Sequence, residues 1–163
     1  MTRAKGPTFD VAFRRRREKR TNYAKRLALV KSGVPRMVVR KSNRYILVQF
    51  IEFQSEGDRC LVTVDANKLK KATGWEARRN SWTAYLAGLL AGKEAMKKGV
   101  TNFVLDVGMQ TPSKGAVVFA ALKGAVDAGL KNTYDEGMVP SAKLANPPEK
   151  LKAAFEGAKS KLR

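Results

Sequence analysis

The chain contains no histidine and only one cysteine among its 163 residues. Histidine is the commonest general base, the usual zinc ligand and the partner in Ser-His and Cys-His nucleophile pairs, so its absence removes all of these sites. A single cysteine cannot form an internal disulfide, and it cannot supply the four nitrogen or sulfur ligands of a structural zinc site. The sequence therefore predicts a protein that has no histidine-dependent active site and needs no metal or other cofactor.

Long apolar stretches are also missing. The longest, residues 85–92, is far shorter than the roughly 20 residues that a helix needs to cross a bilayer. The first residues have no apolar run of the kind that marks a secretory signal. The lone cysteine, Cys60, stands beside Leu61 and Val62, which predicts a thiol buried in a strand and fits a reducing compartment. We expect a soluble, cytoplasmic protein.

Acidic residues are scarce as well. The chain has 14 Asp and Glu against 33 Lys and Arg, which gives a net charge of +19. Solubility alone asks for a net charge of roughly 2–8 in a small domain. A larger surplus disfavours a compact monomer unless a polyanion neutralises it, and Lys and Arg that meet phosphates release condensed counterions. The composition therefore favours a nucleic-acid-binding protein.

The charge is concentrated at the two ends of the chain. Residues 1–31 hold eleven basic and two acidic residues, and residues 143–163 hold six and two. Apolar residues, 44% of the chain, lie mainly between Leu27 and Leu130. We therefore predict a basic N-terminal arm over residues 1–20, an α/β domain over residues 21–140, and a basic C-terminal extension over residues 141–163 with a short helix near residues 149–161.

The apolar pattern predicts a mixed sheet packed with helices. A helix is expected over residues 12–31, with Tyr23, Leu27 and Val30 on its apolar stripe. Three extended runs joined by short turns then predict an antiparallel meander. Helix–strand–helix order follows, and its strand is too apolar for an edge that faces water. The small residues of the first of these two helices, such as Gly88, are expected to approach the sheet. The strands are expected over residues 36–40, 45–53, 60–64 and 103–107, and the later helices over residues 80–98 and 115–130.

Two basic groups adjoin the predicted strands. Arg40, Lys41, Ser42, Asn43 and Arg44 form the tip between the first two strands, beside an aromatic ring that could stack on an unpaired base. The alternative is that these charges only protect exposed strand ends from edge pairing.

The loop over residues 108–115 joins a strand to a helix, where backbone N–H groups attract phosphate. It nearly matches a nucleotide-binding loop, but Ser113 stands where glycine should precede Lys114. Contact with one RNA phosphate through Thr111, Ser113 and Lys114 is the favoured interpretation. An ordinary strand-to-helix turn is the alternative.

Asp65 and Asp106 lie at strand ends, where carboxylates of some nucleases hold magnesium. Such residues are more often turn or cap formers, and no third carboxylate falls on the same rim. An RNA-processing enzyme, suggested by these aspartates, stays open as an alternative to a protein that binds folded RNA. So does a DNA-compacting architectural protein, which is suggested by the charge alone.

Several long blocks resemble the archaeal branch of the ribosomal proteins that bind 5S ribosomal RNA, a family usually numbered eighteenth in bacteria and fifth in eukaryotes. The resemblance covers roughly residues 14–140. Its blocks are residues 22–33 (NYAKRLALVKSG), 35–45 (PRMVVRKSNRY), 84–92 (AYLAGLLAG), 111–115 (TPSKG) and 118–125 (VFAALKGA).

This resemblance implies an α/β fold of the translational-machinery type and a ribosomal role without catalysis. The protein would bind 5S rRNA and help attach it to the large-subunit rRNA in the central protuberance, beside neighbouring ribosomal proteins. Two positions depart from the family pattern. Val117 stands where arginine is common, and Trp82 stands where a smaller residue is expected and serves either local packing or an RNA-stacking surface. The expected RNA contacts are Arg14, Arg15, Arg16, Arg17, Lys19, Arg20, Arg26, Arg40, Lys41, Ser42, Asn43, Arg44, Thr111, Ser113 and Lys114.

Overall fold

A computed structural model of the protein describes residues 6–76 and 78–162. The first five residues of the predicted arm and the last residue of the predicted extension lie outside this description. The strands are β1 (Arg36–Lys41), β2 (Ile46–Glu52), β3 (Arg59–Val64) and β4 (Val104–Asp106). The helices are α1 (Arg14–Arg17), α2 (Tyr23–Lys31), α3 (Ala66–Thr73), α4 (Ser81–Lys97), α5 (Val117–Asp127), α6 (Ser141–Ala145) and α7 (Glu149–Lys161), with a short 3₁₀ turn at Glu136–Met138.

The strands form one mixed sheet in the order β3-β2-β1-β4. The meander β1-β2-β3 is antiparallel, as the sequence predicts, and β4 joins β1 in parallel. The prediction that the fourth strand is too apolar for an edge is wrong, because β4 is the edge strand beside β1. Its apolar character is explained by Phe103, just before it, whose buried ring packs edge-on against Phe50 of β2.

Helices α4 and α5 cover one face of the sheet, which we call the inner face. Alternate residues of β1 and β2 point to this face, and Met37, Val39, Val48 and Phe50 are fully buried there. The opposite, outer face of β1 carries Arg36, Val38 and Arg40. Residues of the short N-terminal helices α1 and α2 lie beside this outer face.

The predicted helix over residues 12–31 is two helices. It breaks because the Asn22 side chain caps α2 by accepting a hydrogen bond from the Lys25 amide at 3.1 Å, and Lys19 adopts a left-handed φ of 53°. Of the predicted apolar stripe, Tyr23 and Leu27 are exposed, and Val30 is half-buried together with Leu29.

Cys60 is exposed, which contradicts the predicted buried thiol. The pairing of β2 with β3 shifts register between Phe50 and Ile51. The alternation that buries Val62 and Val64 of β3 therefore does not continue to Cys60. The Cys60 Sγ lies 3.1 Å from the Thr63 hydroxyl. The exposed thiol therefore belongs to the strand surface.

The small residues of α4 face α5 rather than the sheet at their closest point. A methyl group built on Gly88 would lie 2.0 Å from the Ala121 carbonyl oxygen, and one on Gly124 would lie 2.1 Å from the Tyr85 carbonyl oxygen. The two helix backbones are thus in direct contact at a reciprocal pair of glycines, and this contact fixes the layer beneath the sheet.

The C-terminal helix α7 packs onto this layer, although the sequence suggests an arm on a folded centre. Phe155, Ala158 and Leu162 are buried, and the Phe155 ring lies 6.1 Å from that of Trp75. Lys150, Lys152 and Lys161 are exposed, whereas the half-buried Lys159 places its Nζ 5.4 Å from the centroid of the Tyr85 ring. Among the described residues no helix is long and apolar enough to cross a membrane.

Candidate nucleic-acid interface

A groove of about 430 Å³ separates the N-terminal helices from the outer face of β1 and the end of β4. We call it the arginine groove. Asp58 and Asp106 are its acidic lining residues. The basic residues that line it come from both helical segments and from β1, and they are Arg15, Arg20, Lys25, Arg26, Arg36 and Arg40. Six basic side chains against two carboxylates give the arginine groove a positive field that attracts polyanions.

Arg36 occupies the floor of the arginine groove, with 4% of the residue exposed. Its Nη2 donates to Asp58 Oδ2 at 2.6 Å, and its Nη1 donates to Asp106 Oδ2 at 3.3 Å. A buried guanidinium needs such partners, because an uncompensated charge in a dry environment is costly. The two carboxylates therefore hold Arg36 in place.

The same two carboxylates hold the neighbouring arginines. Arg26 Nη2 of α2 donates to Asp58 Oδ2 at 2.8 Å, and Arg40 Nη2 of β1 donates to Asp106 Oδ1 at 3.0 Å. Arg40 Nη1 also donates to the Asp106 carbonyl oxygen at 2.8 Å. Three arginines and two aspartates thus alternate in one ion-pair chain, Arg26–Asp58–Arg36–Asp106–Arg40.

Gly108 closes one end of this chain. Its amide donates to Asp106 Oδ1 at 2.8 Å. A Cβ at this position would lie 2.9 Å from Arg40 Cζ, and the φ of +67° also favours glycine. Arg40 therefore lies directly against the backbone of the loop that follows β4, which connects two basic groups that the sequence treats separately.

The strand-end aspartates have structural partners. Asp106 belongs to the ion-pair chain, and Asp65 caps α3 by accepting a hydrogen bond from the Lys68 amide at 2.8 Å. Within residues 6–76 and 78–162, no group of three or more acidic or cysteine side chains is arranged to hold a metal. Their positions match the cap and turn alternative rather than the magnesium alternative.

The predicted N-terminal contacts divide into two sets. Arg15 and Arg20 line the arginine groove, where Arg15 Nε donates to Thr21 Oγ1 at 2.9 Å and Arg20 pairs with Glu18 at 3.1 Å. The remaining members are exposed and lie outside its lining, and they are Arg14, Arg16, Arg17 and Lys19.

The predicted tip between β1 and β2 is organised by Ser42. Its hydroxyl accepts hydrogen bonds from the Tyr45 amide at 2.9 Å and the Arg44 amide at 3.3 Å, so this side chain serves the turn. Lys41, Asn43 and Arg44 are exposed, and so is the Tyr45 ring. Arg40, Lys41 and Tyr45 line a second cavity of about 420 Å³, which shares Arg40 with the arginine groove.

The loop after β4 exposes the side chains of the three predicted phosphate contacts. Thr111, Ser113 and Lys114 are exposed, as the predicted phosphate contact requires. The Gly115 amide, however, donates to the Met138 carbonyl at 2.9 Å, and the Ala116 amide donates to the Ser113 carbonyl at 3.1 Å. These two amides are occupied, so they do not form the expected phosphate cradle.

Sequence reasoning missed several residues of this surface. Arg36 and Lys25 line the arginine groove, and Phe13 and Tyr23 form an exposed aromatic pair with ring centroids 5.4 Å apart. The alternation of β1 could have placed Arg36 on the same face as Arg40. Nothing in the sequence pairs Phe13 with Tyr23, because the break between α1 and α2 creates that contact.

Trp82 takes a structural role. It is half-buried against the core, and its Nε1 donates to the Lys143 carbonyl oxygen at 3.2 Å. The indole therefore connects α4 to α6, which explains a large side chain at this position.

On α5, the hydrogen bond to Asp127 raises the pKa of Lys123, and this pair belongs to the helical layer on the inner face.

The family model for ribosomal large subunit proteins 60S L5 and 50S L18 matches residues 7–102 and 94–135. A protein of Aeropyrum pernix named large ribosomal subunit protein uL18 is 51% identical over 137 residues, which cover 83% of this chain and 64% of that protein. The uL18 protein of Methanoregula boonei is 49% identical, with 85% and 79% covered. That of Ignicoccus hospitalis is 44% identical, with 91% and 76% covered.

The chain thus spans less than two thirds of the Aeropyrum protein's length and about three quarters or more of the other two. These relatives are named as ribosomal proteins, a structural and non-enzymatic family, which decides against the RNA-processing alternative. The family model and the relatives agree over most of the chain. The chain belongs to the family of ribosomal large subunit proteins that comprises 60S L5 and 50S L18.

Proposed function

We propose that the protein is a structural constituent of the large ribosomal subunit that binds 5S rRNA and helps attach it to the large-subunit rRNA in the central protuberance. Membership in the ribosomal family supports the coarse role. The observation that carries the RNA-binding part is the arginine groove, where basic side chains from the N-terminal helices and from β1 meet on one face of the sheet.

Charge and shape together support an RNA partner. The net charge of +19 supplies the affinity that comes from counterion release. Exposed rings at Phe13, Tyr23 and Tyr45 adjoin the basic groups, and such rings stack on unpaired bases, which folded RNA offers and duplex DNA does not. Neighbouring ribosomal proteins are further proposed partners, and the ribosome in the cytoplasm is the proposed location.

A competition assay tests this function. The protein is bound to labelled 5S rRNA at two salt concentrations and challenged with unlabelled 5S rRNA, an unrelated folded RNA of equal length, or duplex DNA. We expect a preference for 5S rRNA that persists at the higher salt, because contacts to shape and to unpaired bases are less sensitive to salt than phosphate contacts. Equal competition by all three would mean that charge alone drives binding and would favour the DNA-compacting alternative.

A variant that lacks residues 1–20 belongs in the same assay, because those residues are the proposed arm. None of the described residues of that segment is buried, so the fold should persist. Its loss removes Arg15 and Arg20 from the arginine groove, together with other exposed arginines. We expect weaker binding and a smaller salt slope, since log K falls by about 0.7–0.9 per log unit of salt for each phosphate contact. An unchanged slope would show that the arm does not contact RNA.

A further inference from the structure

The arginine groove contains carboxylates at a place where simple charge complementarity predicts none. Asp58 and Asp106 lie between arginines of a surface that faces a polyanion. Each carboxylate lowers the positive field of the groove and repels phosphate. Their presence needs a reason other than attraction to RNA.

The geometry supplies that reason. Asp58 ties Arg26 of α2 to Arg36 of β1 through one oxygen, at 2.8 and 2.6 Å. Asp106 ties Arg36 to Arg40 through its two oxygens, at 3.3 and 3.0 Å. Three guanidinium groups from a helix and a strand are thereby fixed in direction. A planar guanidinium binds phosphate with two parallel hydrogen bonds only when its orientation is correct.

One nitrogen of the Arg36 guanidinium has no hydrogen-bond partner in the described part of the chain. This nitrogen is the buried Nε, and both Nη atoms are engaged. A buried donor without an acceptor destabilises the folded protein. Arg26 and Arg40, by contrast, keep about two fifths of their side chains exposed and so can reach a ligand in the groove.

We infer that the arginine groove is a binding site for a backbone phosphate of RNA, and that Asp58 and Asp106 are positioning residues for its arginines. The phosphate contacts Arg26 and Arg40 at the exposed rim of the groove, while the buried Arg36 guanidinium contributes its positive charge from the floor. The carboxylates act through the arginines and do not touch the phosphate. This inference rests on the proposed RNA-binding function and adds the place and the means of one contact.

The substitution Asp58→Asn tests the inference because the two accounts predict opposite signs. If charge alone governs binding, removing an acid from a basic groove strengthens binding to 5S rRNA. If Asp58 positions Arg26 and Arg36, the substitution weakens binding, and we expect about a three- to tenfold rise in Kd. Asp58 is preferred over Asp106 because its side chain is more exposed, 24% against 10%, so the fold tolerates its loss better.

Glu56→Gln is the matched control. Glu56 is exposed in the same β2–β3 connection, two residues before Asp58, and its substitution changes the net charge equally. We expect its Kd to stay the same or to fall slightly. Equal affinities for Asp58→Asn and Glu56→Gln, or tighter binding by Asp58→Asn, would overturn the inference.

Two further measurements separate the possible failures. Asp58→Glu keeps the charge and moves the carboxylate by one methylene, so it should also weaken binding, and unchanged affinity would count against positioning even if Asp58→Asn does not fold. Inorganic phosphate should compete with RNA at this site more effectively in the parent protein than in Asp58→Asn. Equal competition in the two proteins would contradict a phosphate-binding site whose arginines Asp58 positions. Failure of the parent to bind 5S rRNA at all would instead overturn the proposed function.

Discussion

Arg36 is the most deeply buried charged residue in the described part of the chain, and its guanidinium lies between two carboxylates on the outer face of β1. Residues of this kind are hard to identify from sequence, since Arg36 precedes an apolar run and resembles a strand-end cation. Arg40, only four residues further on, was predicted as a contact because it begins a visible basic cluster. The burial that separates their roles depends on Asp58 and Asp106, which are distant in the chain.

Ser42 and Trp82 show the same limit at the residue scale. The sequence places Ser42 among RNA contacts, and its hydroxyl organises the turn. It leaves Trp82 open between packing and stacking, and the hydrogen bond to the Lys143 carbonyl assigns it to packing. Both outcomes depend on a partner that composition and spacing do not identify.

Lys114 provides the test that belongs to this scale. It is exposed on the loop after β4, and the amides of the next two residues, Gly115 and Ala116, are occupied, so its side chain is the group we expect to contact RNA. We expect Lys114→Ala to weaken 5S rRNA binding modestly and to lower the salt slope by about 0.7–0.9, the value for one phosphate contact. Lys150 is also exposed and lies on α7, and Lys150→Ala should leave both quantities nearly unchanged. Equal effects of the two substitutions would remove Lys114 from the interface.

At the scale of elements, the sheet and the long helices follow from periodicity. The antiparallel meander, α4 and the helix over residues 149–161 are all predictable, because each lies next to a clear turn, cap or break signal in the sequence. Helix α3 was missed although Asp65 and Gly74 mark its ends, because eight residues hold too short a stripe. The outer face of β1 was not predictable as a groove floor, because the break in the N-terminal helix sets what lies beside it.

The crossing of α4 and α5 is the element that supports the sheet from beneath. Gly88 is in contact with the Ala121 backbone, so a methyl group there cannot be absorbed by a side-chain movement. We expect Gly88→Ala to destabilise the protein by about 3 kcal/mol, since overpacking a well-filled core costs about 1–3 kcal/mol and backbone contact lies at the upper end. Chemical denaturation of this variant and of the parent protein, measured in parallel, checks this value.

Gly157→Ala is the matched control within a helix. Nothing lies within 4 Å of a methyl group built on Gly157 of α7. Alanine in a helix interior is favoured over glycine by roughly 0.5–1 kcal/mol, so this variant should be slightly more stable than the parent. A Gly88→Ala variant as stable as Gly157→Ala would contradict the close helix contact.

At the scale of the whole molecule, one side of the sheet builds the core and the other carries the arginine groove. Helices α4 and α5 cover the inner face, and α7 packs against α3 and α4. On the outer face, Arg15, Arg20 and Arg26 of the N-terminal segment line the groove beside β1. The sequence predicts the charge and its partner class because both follow from composition. It does not predict that the C-terminal end joins the core, because the burial of Phe155 requires Trp75 and Tyr85 from distant segments.

Side-chain oxidation by hydroxyl radicals, with and without 5S rRNA, tests most directly the claim that the outer face and N-terminal helices bind RNA. Met109 is 51% exposed at the arginine groove, and Met96 is 39% exposed on α4 in the opposite layer. The account predicts that RNA reduces the oxidation rate of Met109, and with it those of Phe13 and Tyr23, while that of Met96 stays unchanged. Protection of Met96 with unchanged oxidation of Met109 would place the RNA on the helical layer and contradict the account.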